Sequence, residues 1–224
     1  MTASIVRSYL IITLLIFFSL PILAQVQVRD EPFHKPVLEN EYFRLLDVWI
    51  QPGDTSLFHI HSTPSLFLYL SDTKVCVEEK GKAWISDITK TGYSWYRSFD
   101  PDTVVHRVAN CDTVPLHVTD IEILSSYNVD QLKDIQPLDI PLKYNNEKAF
   151  AYTLSSSDLK KTIQTRGPMI AELAKGNTVY YDNVTNQRAK SLTQGKYVYI
   201  DPGTTFYFTT NDTGAIEIVL FEIK

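Results

Sequence analysis

Little in this sequence is basic, glycine-rich or helical. Lysine and arginine total 21 against 26 aspartate and glutamate, so no excess of positive charge points to nucleic acid. Only 8 glycines occur, none of them in a phosphate-binding loop, and apolar residues nowhere keep a sustained helical spacing. A doubly wound cofactor fold is therefore not expected. One segment, 156–163, opens on serine and aspartate caps and is expected to give two helical turns. Two cysteines in 224 residues exclude a disulfide miniprotein. With 44% hydrophobic and 21% charged residues the chain is not disordered either, and its length suits one large domain or two small ones.

The long apolar run is confined to the start. Residues 1–24 carry one charge, Arg7, followed by Ile11, Ile12, Leu14, Leu15, Ile16, Phe17 and Phe18, then Pro21 and Ala24. At about 16 residues the run is shorter than the roughly 20 that span a bilayer, so it reads as a secretory signal peptide cleaved after Ala24. The expected location is periplasmic or secreted, with membrane attachment only if the segment stays uncleaved. Cys76 and Cys111, 35 positions apart, would then face an oxidising compartment. A disulfide between them would stabilise by roughly 3 to 4 kcal/mol; the alternative is two buried free thiols.

From Tyr42 onward, short stretches of alternating apolar and polar residues are punctuated by Pro, Gly, Asp and Asn. Examples are 43–50, 65–70, 74–78, 104–108, 117–124 and 215–223. That spacing suggests an all-β sandwich or barrel. A short repeat divides the chain: Asp100-Pro101-Asp102-Thr103 with Asn110 returns 101 positions later as Asp201-Pro202-Gly203-Thr204 with Asn211. At that offset His106 corresponds to Tyr207. The stretch 125–148, which lacks a clear strand pattern, reads as a linker, and 25–41 as an N-terminal arm.

Five histidines are present, and three have ligand spacing. His59 and His61 are separated by one residue, so on a strand both imidazoles point to one face. Together with His106 they would provide three neutral nitrogen ligands with positions left open for water or substrate. His34, between Pro32 and Pro36, reads as loop surface, and His117 as a half-buried structural histidine. Asn110 is expected to cap the turn after its strand.

Two blocks carry a family likeness. Gly53 followed after five residues by His59-Ile60-His61, and Pro101 followed by His106 and then Asn110, resemble the two metal motifs of the cupin superfamily. The resemblance implies two tandem jelly-roll (double-stranded β-helix) barrels. One, at 42–124, would hold a divalent transition metal on His59, His61 and His106; the other, at 149–224, is degenerate. The metal would be Fe, Mn, Zn, Ni or Cu. Ser65 stands where the first motif has its glutamate, Asp72 where it ends in glycine, and Thr103 where the second motif has glycine. A set of three histidines without the carboxylate looks like the centres of thiol dioxygenases and diketone-cleaving cupins.

Strand parity adds pocket candidates. Ser65, Phe67 and Tyr69 share one face, with Tyr69 placed to donate a hydrogen bond or a proton, while Arg44 and Arg97 are the available carboxylate clamps. The implied function is a metal-dependent oxygenase or isomerase acting on a small polar or anionic molecule. The alternative is a non-catalytic module binding a small ligand, such as a sugar, or a protein partner. The chain is expected to be a monomer or a homodimer and to bind no nucleic acid.

Overall fold

The computed structural model describes residues 25–127, 135–186 and 188–224. The targeting segment read at 1–24 and the middle of the linker lie outside the described residues.

The N-terminal half contains β1 (Val26–Gln27), β2 (His34–Glu39), β3 (Phe43–Ile50), β4 (His59–His61), β5 (Ser65–Tyr69), β6 (Thr73–Glu79), β7 (Ile85–Thr89), β8 (Ser94–Arg97), β9 (Val104–Asn110) and β10 (Leu116–Ile123). They form two five-stranded sheets, ordered β1-β4-β9-β6-β7 and β2-β3-β10-β5-β8. The C-terminal half contains β11 (Leu142–Asn145), β12 (Ala149–Ser155), β13 (Ile163–Gln164), β14 (Met169–Lys175), β15 (Thr178–Asn183), β16 (Arg188–Thr193), β17 (Tyr197–Ile200), β18 (Thr205–Thr209) and β19 (Glu217–Ile223). Its sheets run β11-β12-β19-β14-β17 and β13-β18-β15-β16. The fold is all-β in two units, and strand for strand the second repeats the pairing of the first from β2 to β10. No helix among the described residues is long and apolar enough to cross a membrane.

The arm read at 25–41 is part of the first unit. Its β1 pairs in parallel with β4, and its β2 pairs with β3. Pro36 cannot donate to a ladder, and it sits on an edge strand, where the register shifts between Pro36 and Leu38. The linker likewise contributes β11. The expected two helical turns shrink to a 3-10 turn, Ser156–Asp158, opened by a capping box in which the Asp158 carboxylate accepts from the Ser155 amide and hydroxyl. Lys160 then takes a left-handed φ of 68° and donates its amide to Phe208.

The sheet that carries β3 and β10 and the sheet that carries β12, β14 and β19 are buried on both faces, so even polar positions such as Thr119, Glu122 and Glu172 are inaccessible. Phe43, Leu45, Leu66, Leu68 and Ile121 on the outer face of the first unit meet Ala149, Ala151, Ala174, Val219 and Phe221 of the second in one core. Small alanines opposite large aliphatics let the sheets approach without voids. The inner faces of β3, β6 and β10 supply a separate core of Leu46, Val48, Ile50, Val75 and Leu116, and next to it lies the cavity described below. Cys76 and Cys111 are joined by a disulfide that ties β6 to the end of β9. Asn110 donates to the Ile50 and Val114 carbonyls and accepts from the Asp112 amide, closing the turn after β9.

Facing corrects the repeat offset. An odd offset exchanges the two faces of a strand, and Tyr207 does face away from the core that buries Phe206 and Phe208. Matching inward with inward pairs His106 with Phe206 and Glu122 with Glu222, an offset of 100. Across the second ladder Ile163 opposes Phe206, as His59 opposes His106 in the first. The second barrel therefore replaces these imidazoles with packed hydrocarbon.

Candidate metal centre

β4 is three residues long, and its alternation sends His59 and His61 inward with 0% and 3% exposure. Antiparallel pairing places His59 directly opposite His106 on β9. Ring centroids lie 4.6 Å apart for His59 and His106, 4.8 Å for His61 and His106, and 5.0 Å for His59 and His61. The structure thus brings the three expected rings within 5.0 Å of one another, centre to centre.

It also brings a fourth. His34 is the first residue of β2, buried rather than on a loop surface, with its ring 4.7 Å from that of His59. One potential ligand atom from each of His34, His59 and His61 falls within 4.8 Å of the others. His34 escaped the sequence reading because it lies outside the motifs. Only the pairing of β2 with β3, Val48 opposite His34, carries it inward.

Outer partners set the ring orientations. Nδ1 of His34 donates to Glu31 Oε2 at 2.6 Å, and Nδ1 of His59 donates to the Leu57 carbonyl at 2.9 Å. Each ring then presents its Nε2 lone pair, the arrangement in which imidazoles bind metals. Glu31 also accepts from the amides of Phe33 and Leu57, so one buried carboxylate joins the start of β2 to the approach to β4. Burial would raise the Glu31 carboxyl, but His34 and these amides outweigh it and hold it below its usual range.

Asp120 on β10 is the other missed residue. It is 1% exposed, and its Oδ2 lies 3.5 Å from Nδ1 of His61. Neither of its oxygens has a hydrogen-bond partner among the described residues. Burial, aided by the neighbouring Glu122, pushes its carboxyl well above the usual range. The sequence signal was present in the alternating polar positions His117, Thr119 and Asp120, Glu122, but a buried carboxyl cannot be told from a solvated one by pattern alone.

The histidines themselves are held neutral. Burial, reinforced by His34, pushes His59 down to about 4. Burial, with His59 next, pushes His106 down to about 3. His61 lies well below its usual value, again through burial first and then His106. Buried Nε2 of His59, Nε2 of His106 and Nδ1 of His61 lack hydrogen-bond partners among the described residues. Buried polar atoms left unpaired are costly, and neutral imidazoles clustered with unpartnered nitrogens, the Nδ1 of His61 turned toward Asp120, fit a divalent transition metal.

A cavity of about 240 Å³ opens beside the cluster, lined by His34, His61, His106 and Asp120 together with Phe67, Tyr69, Trp95, Arg97 and Phe99. Phe99 stacks on His61 at 5.0 Å, and Phe67 on Trp95 at 4.1 Å. Burial pushes the Tyr69 hydroxyl up to about 12, so it is a hydrogen-bond donor at neutral pH. Two expected pocket residues are elsewhere. Ser65 is fully buried and donates to the Thr63 carbonyl. Arg44 is engaged by Glu122 at 2.7 Å and by Glu39 at 2.8 Å and does not line the cavity. His117 lies on the opposite face of β10, stacked on Trp49 and donating from Nε2 to Asp47 at 2.7 Å.

No protein-family model and no curated protein matches the sequence. Solved structures do resemble the chain. AerE from Microcystis aeruginosa matches at 12% identity and a TM-score of 0.56, over 87% of this chain and 98% of that one. A cupin 2 conserved barrel domain protein from Leptotrichia buccalis matches at 8% identity and 0.52, over 85% and 88%. A salicylate 1,2-dioxygenase from Pseudaminobacter salicylatoxidans matches at 10% and 0.56, over 85% and 76%. At such identities the likeness is one of fold.

Proposed function

We propose that this chain, a tandem cupin by fold, is an exported protein whose N-terminal barrel holds a divalent transition metal and uses it on a small polar or anionic substrate. His59, His61 and His106 are the ligands, with His34 completing the set. The observation that carries this reading is the convergence of unpartnered imidazole nitrogens, two of the rings, His34 and His59, oriented by outer hydrogen bonds. A metal bound by neutral imidazoles alone would keep its full charge and supply Lewis acidity toward a bound oxygen. The protein's own residues do the rest: Glu31 and Leu57 fix the rings, the aromatic walls exclude water, and Tyr69 donates a hydrogen bond into the cavity.

A salicylate 1,2-dioxygenase of similar fold supports oxygenase or isomerase activity for this site. Ser65 in place of a ligand carboxylate favours a second reading, a non-catalytic module that binds a small ligand. Elemental analysis of purified residues 25–224, expressed with metals supplied, tests the shared premise. About one equivalent of a transition metal is expected; less than roughly a tenth would overturn it.

A further inference from the structure

From the cavity walls we infer that its ligand is a small planar monocarboxylate with an apolar body, anchored at the mouth by Arg97. The inference rests on reading this cavity as the substrate site and adds the class of molecule it takes.

The guanidinium of Arg97 lies 5.1 Å from the centre of the Phe99 ring, whose own centre is 5.0 Å from His61. Arg97 and the imidazole cluster are therefore separated by one aromatic ring, no more than about 10 Å from Cζ to ring centre (5.1 and 5.0 Å end to end). Among the described residues Arg97 has no ion pair. The other lining carboxylate, Glu79, is bridged to Lys82 and feels Arg97 only through space, without a hydrogen bond or ion pair between them. Arg44, by contrast, spends its charge on two glutamates. A fork of donors with no partner at the rim of an apolar cavity selects a planar anionic group.

Behind Arg97 the walls are flat and apolar. Phe67, Phe99 and Val104 pack together with Trp95, which stacks on Phe67, and Val75 and Val77 from a separate cluster complete the lining. A volume of about 240 Å³ is below the roughly 300–1,000 Å³ of drug-sized pockets, so the body is about one ring in size. A sugar would leave several hydroxyls unpaired against these walls, which is costly.

Isothermal titration of the full mature chain with benzoate and with its neutral counterpart benzyl alcohol tests this, in metal-loaded and chelator-treated protein. Wild type should prefer benzoate by about ten- to a hundred-fold, the range of a charge-assisted hydrogen bond. Arg97→Gln should remove that preference, and Arg97→Lys should retain part of it. Circular dichroism and the unfolding midpoint confirm that each variant is folded. Equal affinity for the two probes in wild type, or a preference that survives Arg97→Gln, overturns the inference. If the surviving preference requires metal, the ion takes the carboxylate, and the metal reading stands while this one falls. If the preference depends on Arg97 in a protein that binds no metal, this inference stands and the metal reading falls.

Discussion

His59 and His106 face each other across neighbouring strands, with ring centroids 4.6 Å apart and both Nε2 atoms buried without hydrogen-bond partners among the described residues. Two neighbouring buried acceptors repay their desolvation only if a partner takes up their lone pairs. That relationship carries the metal assignment, and several outcomes follow from it.

Removing one ring should abolish the stabilisation by metal. In wild type the thermal midpoint should rise when metal is added, because ligand at about 100 times its Kd contributes about 2.7 kcal/mol. In His106→Ala this rise should vanish, and metal content should fall with it. A variant with unchanged content and an unchanged rise would show that His106 only fills space.

Acid should weaken the metal-free protein within a definite window. His59 and His106 titrate near 6.5 when unfolded but at about 4 and about 3 when folded. Between these values the unfolded chain binds protons that the folded one refuses, so stability falls as pH drops. The expected loss is about 1.4 kcal/mol per pH unit per histidine below 6.5, ending as pH passes each folded value. Urea midpoints at pH 7, 6 and 5 check this. A flat profile would contradict the buried neutral imidazoles.

Asp120→Asn should separate stability from binding. The native carboxyl is raised well above its usual range, so above about pH 4 the unfolded state gains by ionising while the folded state does not. The amide removes that penalty, and the metal-free variant should unfold at higher denaturant than wild type at pH 7. Metal affinity should drop about 10- to 100-fold if the carboxyl supports His61 as an outer partner. Lower stability together with unchanged affinity would contradict both parts.

The two arginines should behave oppositely. Arg44→Ala strands Glu122, which is 4% exposed, and should cost about 3 to 5 kcal/mol. Arg97→Gln sits at an exposed edge and should change stability by less than about 0.5 kcal/mol. Denaturant curves on both variants decide the point, and a larger loss at Arg97 would make it structural.

Replacing Cys76 and Cys111 together by serine should lower stability by roughly 3 to 4 kcal/mol, from the loop of 35 residues that the bridge closes. Mass spectrometry of the native protein should show no free thiol. Reaction of both cysteines with a thiol reagent would contradict the bridge.

The legible parts of the site are those written locally. His59 and His61 share a face because side-chain direction repeats every second residue, and that requires only that the segment be a strand. Glu31 and His34 come from one other segment of the chain and Asp120 from another, and nothing in their neighbours marks them as buried. The two arginines looked equivalent because sequence gives their charge but not their partners.

By itself the sequence determined the all-β class and the position of the densest histidine motif, since period-two alternation and turn residues are local properties of the backbone. Only the tertiary structure decided which strands lie side by side. That pairing recruited His34 from a supposed surface arm, moved the repeat offset from 101 to 100, and assigned Arg44 to a buried glutamate and Arg97 to the cavity mouth. The physical reason is the same each time: burial, and the partners that burial forces on a polar group, are set by contacts between residues far apart in the chain. Little in the sequence was glycine-rich or helical, so the chain had to build its site from strand pairing, the interaction that local sequence specifies least.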